Sequence, residues 1–222
     1  MSQRVPVVEK ITKANDRIAA LNRALLDSHG VFGLNLLASP GAGKTSLIEA
    51  TLPRLRGRLR VGVVEGDLAT SLDAERAAAA GAPPVQLTPR GACHLDAAMV
   101  HDALPRLPLA ELDLLIVENV GNLICPASFA LGTHADVLVA STPEGDDKPY
   151  KYPSMYGRVD ALVINKIDLL PHLDFDMERF RRGVAVLSPD AVAFPLSCRT
   201  GEGLDAWIAW LAARTRPKRG AG

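Results

Sequence analysis

The chain has 222 residues, and Lys+Arg and Asp+Glu both number 25, so the formal net charge is zero. Hydrophobic residues make up 48% and charged residues 23%, which excludes wholesale disorder and gives no sign of a nucleic-acid or membrane-surface protein. No apolar run approaches the roughly 20 residues that span a bilayer. The opening MSQRVPVVEKITKAND stays charged, so the cytoplasm is the expected compartment, and three cysteines point to free thiols or ligands.

In chain order, Ile11, Ala14, Ile18, Leu21 and Leu25 recur at helical spacing, which predicts an amphipathic helix over 7–27 that stops near Gly30. Strands are expected over 31–38, 60–65, 85–88, 112–118, 135–141, 161–165 and 192–197. Helices are expected at about 44–55, 70–80, 93–104, 174–187 and 203–214. This alternation predicts a three-layer α/β fold, with a mostly parallel, roughly seven-stranded sheet and helices on both faces. Residues 1–30 are expected to pack as a helix on a nucleotide-binding domain over 31–214, with 215–222 as a flexible basic tail. Ligands of such sheets sit beyond the C-terminal strand ends.

After the first strand comes Ala38-Ser39-Pro40-Gly41-Ala42-Gly43-Lys44-Thr45-Ser46 and then a helix. This is a phosphate-binding loop of the P-loop NTPase kind, with Ala38 where Gly is commoner. The backbone N–H groups of Pro40–Ser46, apart from the proline's, can wrap a polyphosphate. Lys44 would reach the β/γ-phosphates, and the Thr45 hydroxyl would ligate Mg²⁺.

After the sixth strand comes Asn165-Lys166-Ile167-Asp168. The Asp168 carboxylate can accept from N1–H and the 2-amino group of guanine, two donors that adenine lacks. Asn165 can tie this loop to the phosphate loop, and the Lys166 stem can lie along the base. Ser197-Cys198-Arg199 follows the last strand, where main-chain groups would back up the base. GTP is therefore the expected nucleotide.

The acids after the second and fourth strands are candidates for the switch. Asp67 could ligate Mg²⁺ or orient the attacking water, Asp73 is a second candidate, and Glu118 could hold Mg²⁺ through water. Gly121 gives the backbone freedom to meet a γ-phosphate. Where a Ras-like switch would place a Gln there is none, so slow unaided hydrolysis is expected.

Cys93-His94 and Cys125 form a ligand set of two thiolates and an imidazole that suits Ni²⁺ or Zn²⁺. The pair is expected to start the helix over 93–104. Spacing alone leaves buried or capping thiols as an alternative.

Together SPGAGKTS, EGDLATSLDAER, the Cys-His pair, ENVGNLICPASFALG, TPEGDDKPYKYPSMY, NKIDLL and SCRTGEG resemble the HypB family of hydrogenase nickel-incorporation GTPases. The resemblance implies a SIMIBI-class GTPase that forms a nucleotide-dependent homodimer and binds nickel through Cys93, His94 and Cys125. It implies a HypA-type metallochaperone and the hydrogenase large-subunit precursor as partners; from the charge balance, no nucleic acid and no membrane are expected. Some relatives carry Cys-rich or His-rich nickel stretches; here the first 38 residues hold one His and no Cys, so nickel storage is not expected. A urease-accessory nickel GTPase, a small-molecule kinase and a non-enzymatic nickel-binding module are the alternatives.

Overall fold

The computed structural model describes residues 7–66, 84–87, 94–122 and 124–216. Seven strands form one sheet: β1 Phe32–Ala38, β2 Val61–Glu65, β3 Pro84–Gln86, β4 Leu114–Glu118, β5 Ala135–Ser141, β6 Ala161–Asn165 and β7 Val192–Pro195. Their order is β3-β2-β4-β1-β5-β6-β7, and every pairing is parallel. The middle strands read as unbroken apolar runs because helices cover both faces. β1, β4, β5 and β6 are buried almost throughout.

Among the described residues the α-helices are α1 Val7–Ser28, α2 Lys44–Leu55, α3 Ala97–Ala103, α4 Lys148–Lys151, α5 Pro153–Tyr156, α6 Met177–Leu187 and α7 Leu204–Arg214. The helix expected over 70–80 lies outside the described residues. Side chains alternate along β1, and each face has its own core. Leu34 and Leu36 join Leu47, Ile48, Trp207 and Leu211 under α2 and α7. On the other face Leu37 packs with Tyr156, Phe180 and Val184 under α5 and α6, and Leu115 and Val117 pack with Leu26, Leu95 and Val100 under α1 and α3.

α1 ends where a six-to-one bond runs from the Val31 N–H to the Leu26 carbonyl, with Gly30 left-handed at φ 61°. Two buried asparagines on α1 clamp it to distant loops. Asn22 Nδ2 donates to the carbonyls of Ala97 (2.8 Å) and Leu131 (2.9 Å), and Asn15 Oδ1 accepts from the Ala97 N–H at 2.9 Å. The N-terminal helix thereby fixes the start of α3 and the chain after Cys125. No helix among the described residues is long and apolar enough to cross a membrane.

Candidate functional site

The loop between β1 and α2 turns on two left-handed glycines, Gly41 (φ 76°) and Gly43 (φ 103°). A Cβ on Gly43 would lie 2.4 Å from Asn165 Nδ2, so only glycine admits the neighbouring loop there. α2 opens at Lys44 with no side chain capping it, which leaves its first N–H groups and positive dipole end facing the loop. Lys44 is only 5% exposed; a lysine this buried belongs beside negative charge. Its Nζ would lie 3.4 Å from a Cβ on Gly121, and Pro40 Cα would lie 3.1 Å from it. The stretch after β4 thus rests directly against the phosphate loop.

Thr45 Oγ1 donates to Glu118 Oε1 at 2.8 Å. Glu118 and Glu65 are both buried and stand in register at adjacent strand ends. Two such carboxylates side by side favour a cation nearby. The hydroxyl and carboxylate oxygens are hard donors of the kind Mg²⁺ takes, so this pair fits the ion. Asp67 and Asp73 lie outside the described residues.

A pocket of about 500 Å³ opens between α2 and the loops after β6 and β7, lined by Ser46, Glu49, Ala50, Asn165, Lys166, Asp168, Leu169, Ser197, Cys198 and Arg199. Asn165 Nδ2 donates to the Ala42 carbonyl at 3.0 Å, and its Oδ1 accepts from Lys166 N at 2.8 Å and Cys198 N at 3.2 Å. One amide therefore joins three loops. Lys166 adopts φ 64°, the left-handed region, and is held there by its Nζ bond to the Gly41 carbonyl (2.8 Å) and by Thr142 Oγ1, which donates to its carbonyl at 2.7 Å. Ser197 Oγ donates to Asp168 Oδ1 at 2.6 Å, and Arg199 Nε donates to Oδ2 at 2.8 Å. The Ser197 hydroxyl, then the Arg199 guanidinium, hold the Asp168 carboxyl below its ordinary value against partial desolvation. Arg199, expected as a base neighbour, bonds the Asp168 carboxylate through both Nε and Nη2, each 2.8 Å from Oδ2. Burial pushes the Cys198 thiol up to about 11. It stays protonated at neutral pH and serves as a small packing residue.

Of the metal set, Cys93 lies outside the described residues. α3 starts at Ala97, with Asp96 as its N-cap accepting from the Met99 N–H at 2.8 Å. His94 therefore precedes the cap and does not start the helix, correcting the expectation for the Cys-His pair. A side-chain cap fixes the helix start at the residue after it, which leaves His94 and Leu95 in irregular chain. The His94 ring stacks on Phe129 at 4.2 Å between centroids, and Phe129 follows the turn Cys125–Ser128. Burial lowers the His94 pKa from its usual value, and the Asp96 carboxylate opposes that shift. A neutral imidazole is the ligating form. Among the described residues no group of three or more His, Cys, Asp and Glu side chains is gathered to hold a metal ion. His134 and His101 are structural: His134 accepts from the Gly33 N–H and meets Asp27, and His101 meets Asn22.

The sequence reading missed the part played by TPEGD. Ser39 in the phosphate loop donates to Glu144 Oε1, and Glu144 Oε2 accepts from the Ser141 N–H and hydroxyl. The available signal was the capping box Ser141-x-x-Glu144. It also missed Asn119, whose buried side chain is bonded to Leu95 and Asn35.

A family model described as CobW/HypB/UreG, nucleotide-binding domain, matches residues 34–195. The chain is 47% identical over 210 residues to hydrogenase maturation factor HypB of Azotobacter vinelandii, covering 95% of this chain and 69% of that one. Among solved structures, hydrogenase maturation factor HypB from Archaeoglobus fulgidus aligns with a TM-score of 0.86 at 35% identity, covering 90% of this chain and 98% of that chain. HypB from Helicobacter pylori in complex with nickel aligns with a TM-score of 0.86 at 36% identity, covering 90% and 94%.

Proposed function

Since the chain belongs to the CobW/HypB/UreG family, and within it to the hydrogenase maturation factors HypB, we propose that it is a GTP-hydrolysing metallochaperone that inserts nickel into the [NiFe]-hydrogenase large subunit. The observation that carries this reading is the course of one segment. From Glu118 the chain passes Gly121, which lies against Pro40 and Lys44, and reaches Cys125 four residues later. Four residues span at most ~14 Å. A γ-phosphate sensor and a thiolate ligand are therefore on one short tether.

In this reading Pro40–Ser46 cradle the phosphates, and Asp168 selects guanine with Ser197, Cys198 and Arg199 around the base. Lys44 neutralises charge on the β/γ-oxygens as water attacks the γ-phosphorus and GDP leaves. Mg²⁺, held by Thr45 and by Glu118 through water, would supply further neutralisation of the phosphates. Asp67 and Asp73 are the proposed groups for orienting the water. Nickel is the cargo, taken by Cys93, His94 and Cys125 as thiolates and neutral imidazole. A nucleotide-dependent homodimer, a HypA-type donor, the large-subunit precursor as acceptor, and a cytoplasmic location complete the proposal.

Two variants test it separately. Lys44→Ala should abolish GTP hydrolysis, which in the unaltered protein should run well below the ~10 s⁻¹ typical of enzymes, and should leave nickel binding without nucleotide intact. Alanine at Cys93, His94 and Cys125 together should remove nickel and leave nucleotide binding in place. Nickel binding unchanged in the triple variant would overturn the cargo site, and hydrolysis unchanged in Lys44→Ala would overturn the enzyme.

A further inference from the structure

The side chain of Asn119 is fully buried and joins segments that the sequence keeps apart. Its Oδ1 accepts from two backbone donors, the N–H of Leu95 at 3.0 Å and the N–H of Val120 at 2.9 Å. Its Nδ2 donates to Asn35 Oδ1 at 3.3 Å, and Asn35 Nδ2 donates in turn to Asp136 Oδ1 at 2.9 Å. Its own N–H donates to the Leu36 carbonyl at 3.1 Å. An amide oxygen offers two lone pairs, and both are used here.

The two donors on that oxygen belong to different functions. Val120 adjoins Gly121, the residue that meets Pro40 and Lys44. Leu95 adjoins His94. Leu95 is itself fully buried, and a Cβ on Gly66 would fall 2.5 Å from its Cδ1 and Cγ. The Gly66 N–H donates to the Glu118 carbonyl at 2.8 Å. The chain beside His94 is thus bonded to one strand end facing the nucleotide and packed on the other.

We infer that Asn119 is the positioning residue that carries the nucleotide state from the stretch 118–121 to the proposed ligand His94. If Val120 and Gly121 move to meet a γ-phosphate, Oδ1 moves with them. The buried Leu95 N–H has no water to replace that bond, so the chain at 94–95 must follow. Asn35 and Asp136 anchor the far side of the amide in the sheet, so the motion is a rotation about a fixed point. The inference rests on the proposed nickel site and its coupling to GTP.

The test is nickel titration with GDP and with a non-hydrolysable GTP analogue, read by the thiolate-to-nickel charge-transfer absorption, in the unaltered protein, Asn119→Ala and Asn119→Asp. The unaltered protein should show affinities differing about 5- to 150-fold between the two states. Asn119→Ala should bring the ratio close to one, and Asn119→Asp, which keeps the acceptor for the Leu95 and Val120 N–H groups but loses the donor to Asn35, should restore it in part. Amide exchange on the unaltered protein gives a readout independent of any variant: protection at Leu95 should change between the two nucleotide states. A ratio of one in the unaltered protein would overturn the coupling and this inference with it. A large ratio that survives Asn119→Ala, or Leu95 protection identical in both states, would overturn the role of Asn119 alone.

Discussion

Replacing Asn165 by Ala cuts the amide that joins the phosphate loop to the base-reading loops. Three bonds go: Nδ2 to the Ala42 carbonyl, and Oδ1 from Lys166 N and Cys198 N. Each is worth about 1 kcal/mol net when made, and a buried group left unpaired costs ~1–3 kcal/mol. Ala42 is fully buried and Cys198 is half-buried, so water replaces little of what is lost. Lys166 also loses one support for its left-handed backbone, a conformation that costs ~1 kcal/mol or more. The sum is a stability loss of about 3 kcal/mol, with ~5 as the ceiling. Nucleotide binding needs both loops in register, so up to the same ~3 kcal/mol reappears as affinity, roughly 100-fold for GDP. Urea unfolding of the two proteins with and without saturating GDP measures both quantities, because a ligand stabilises by its affinity for the folded state. A loss under ~0.5 kcal/mol, the size of an ordinary surface change, with GDP affinity intact, would show that Asn165 does not hold the loops together.

Asp168→Asn should weaken GDP binding and shift preference toward XDP, whose 2-oxo group accepts from an amide; equal GDP affinity in variant and parent would remove Asp168 from base recognition. The same carboxyl sets a pH expectation. Its pKa is depressed, chiefly by the Ser197 hydroxyl, so its charged form persists above that lowered value and is lost as pH falls through it. GDP affinity measured from pH 7 downward should therefore stay flat through the ordinary carboxylate value of ~4. A decline centred well above that value would contradict the assignment.

The sheet was legible because its inner strands are buried on both faces and therefore read as apolar runs such as LLIVE and ALVIN. The phosphate loop was legible because its chemistry is backbone chemistry, which glycine spacing records. The edge strand β3 was expected over 85–88 and is found at Pro84–Gln86, whereas the helices α4 and α5 were harder. Pro149 and Pro153 each sit in the first turn of a short helix, where no N–H is needed, so no continuous helical pattern marks that stretch. The helix α3 starts at Ala97 and not at Cys93, because Asp96 is an ordinary N-cap that fixes the first turn after it. Asn119 could not have been found from the chain alone. Its partners Leu95 and Asn35 are 24 and 84 residues away, and strand order alone brings them together. Arg199 on Asp168 was hidden for the same reason, since a side chain's partner depends on which loops share an edge of the sheet.

Nickel titration of the intact chain in its GDP and GTP-analogue states, with the molecular mass followed in the same samples, decides whether nucleotide and cargo are linked. The proposed coupling predicts nickel affinities that differ about 5- to 150-fold, a change in oligomeric state between the two nucleotides, and, by reciprocity, an equal factor in nucleotide affinity when nickel is bound. Equal nickel affinity in both states, with mass unchanged, would mean that the chain binds GTP and nickel as unrelated ligands and does not use one to release the other.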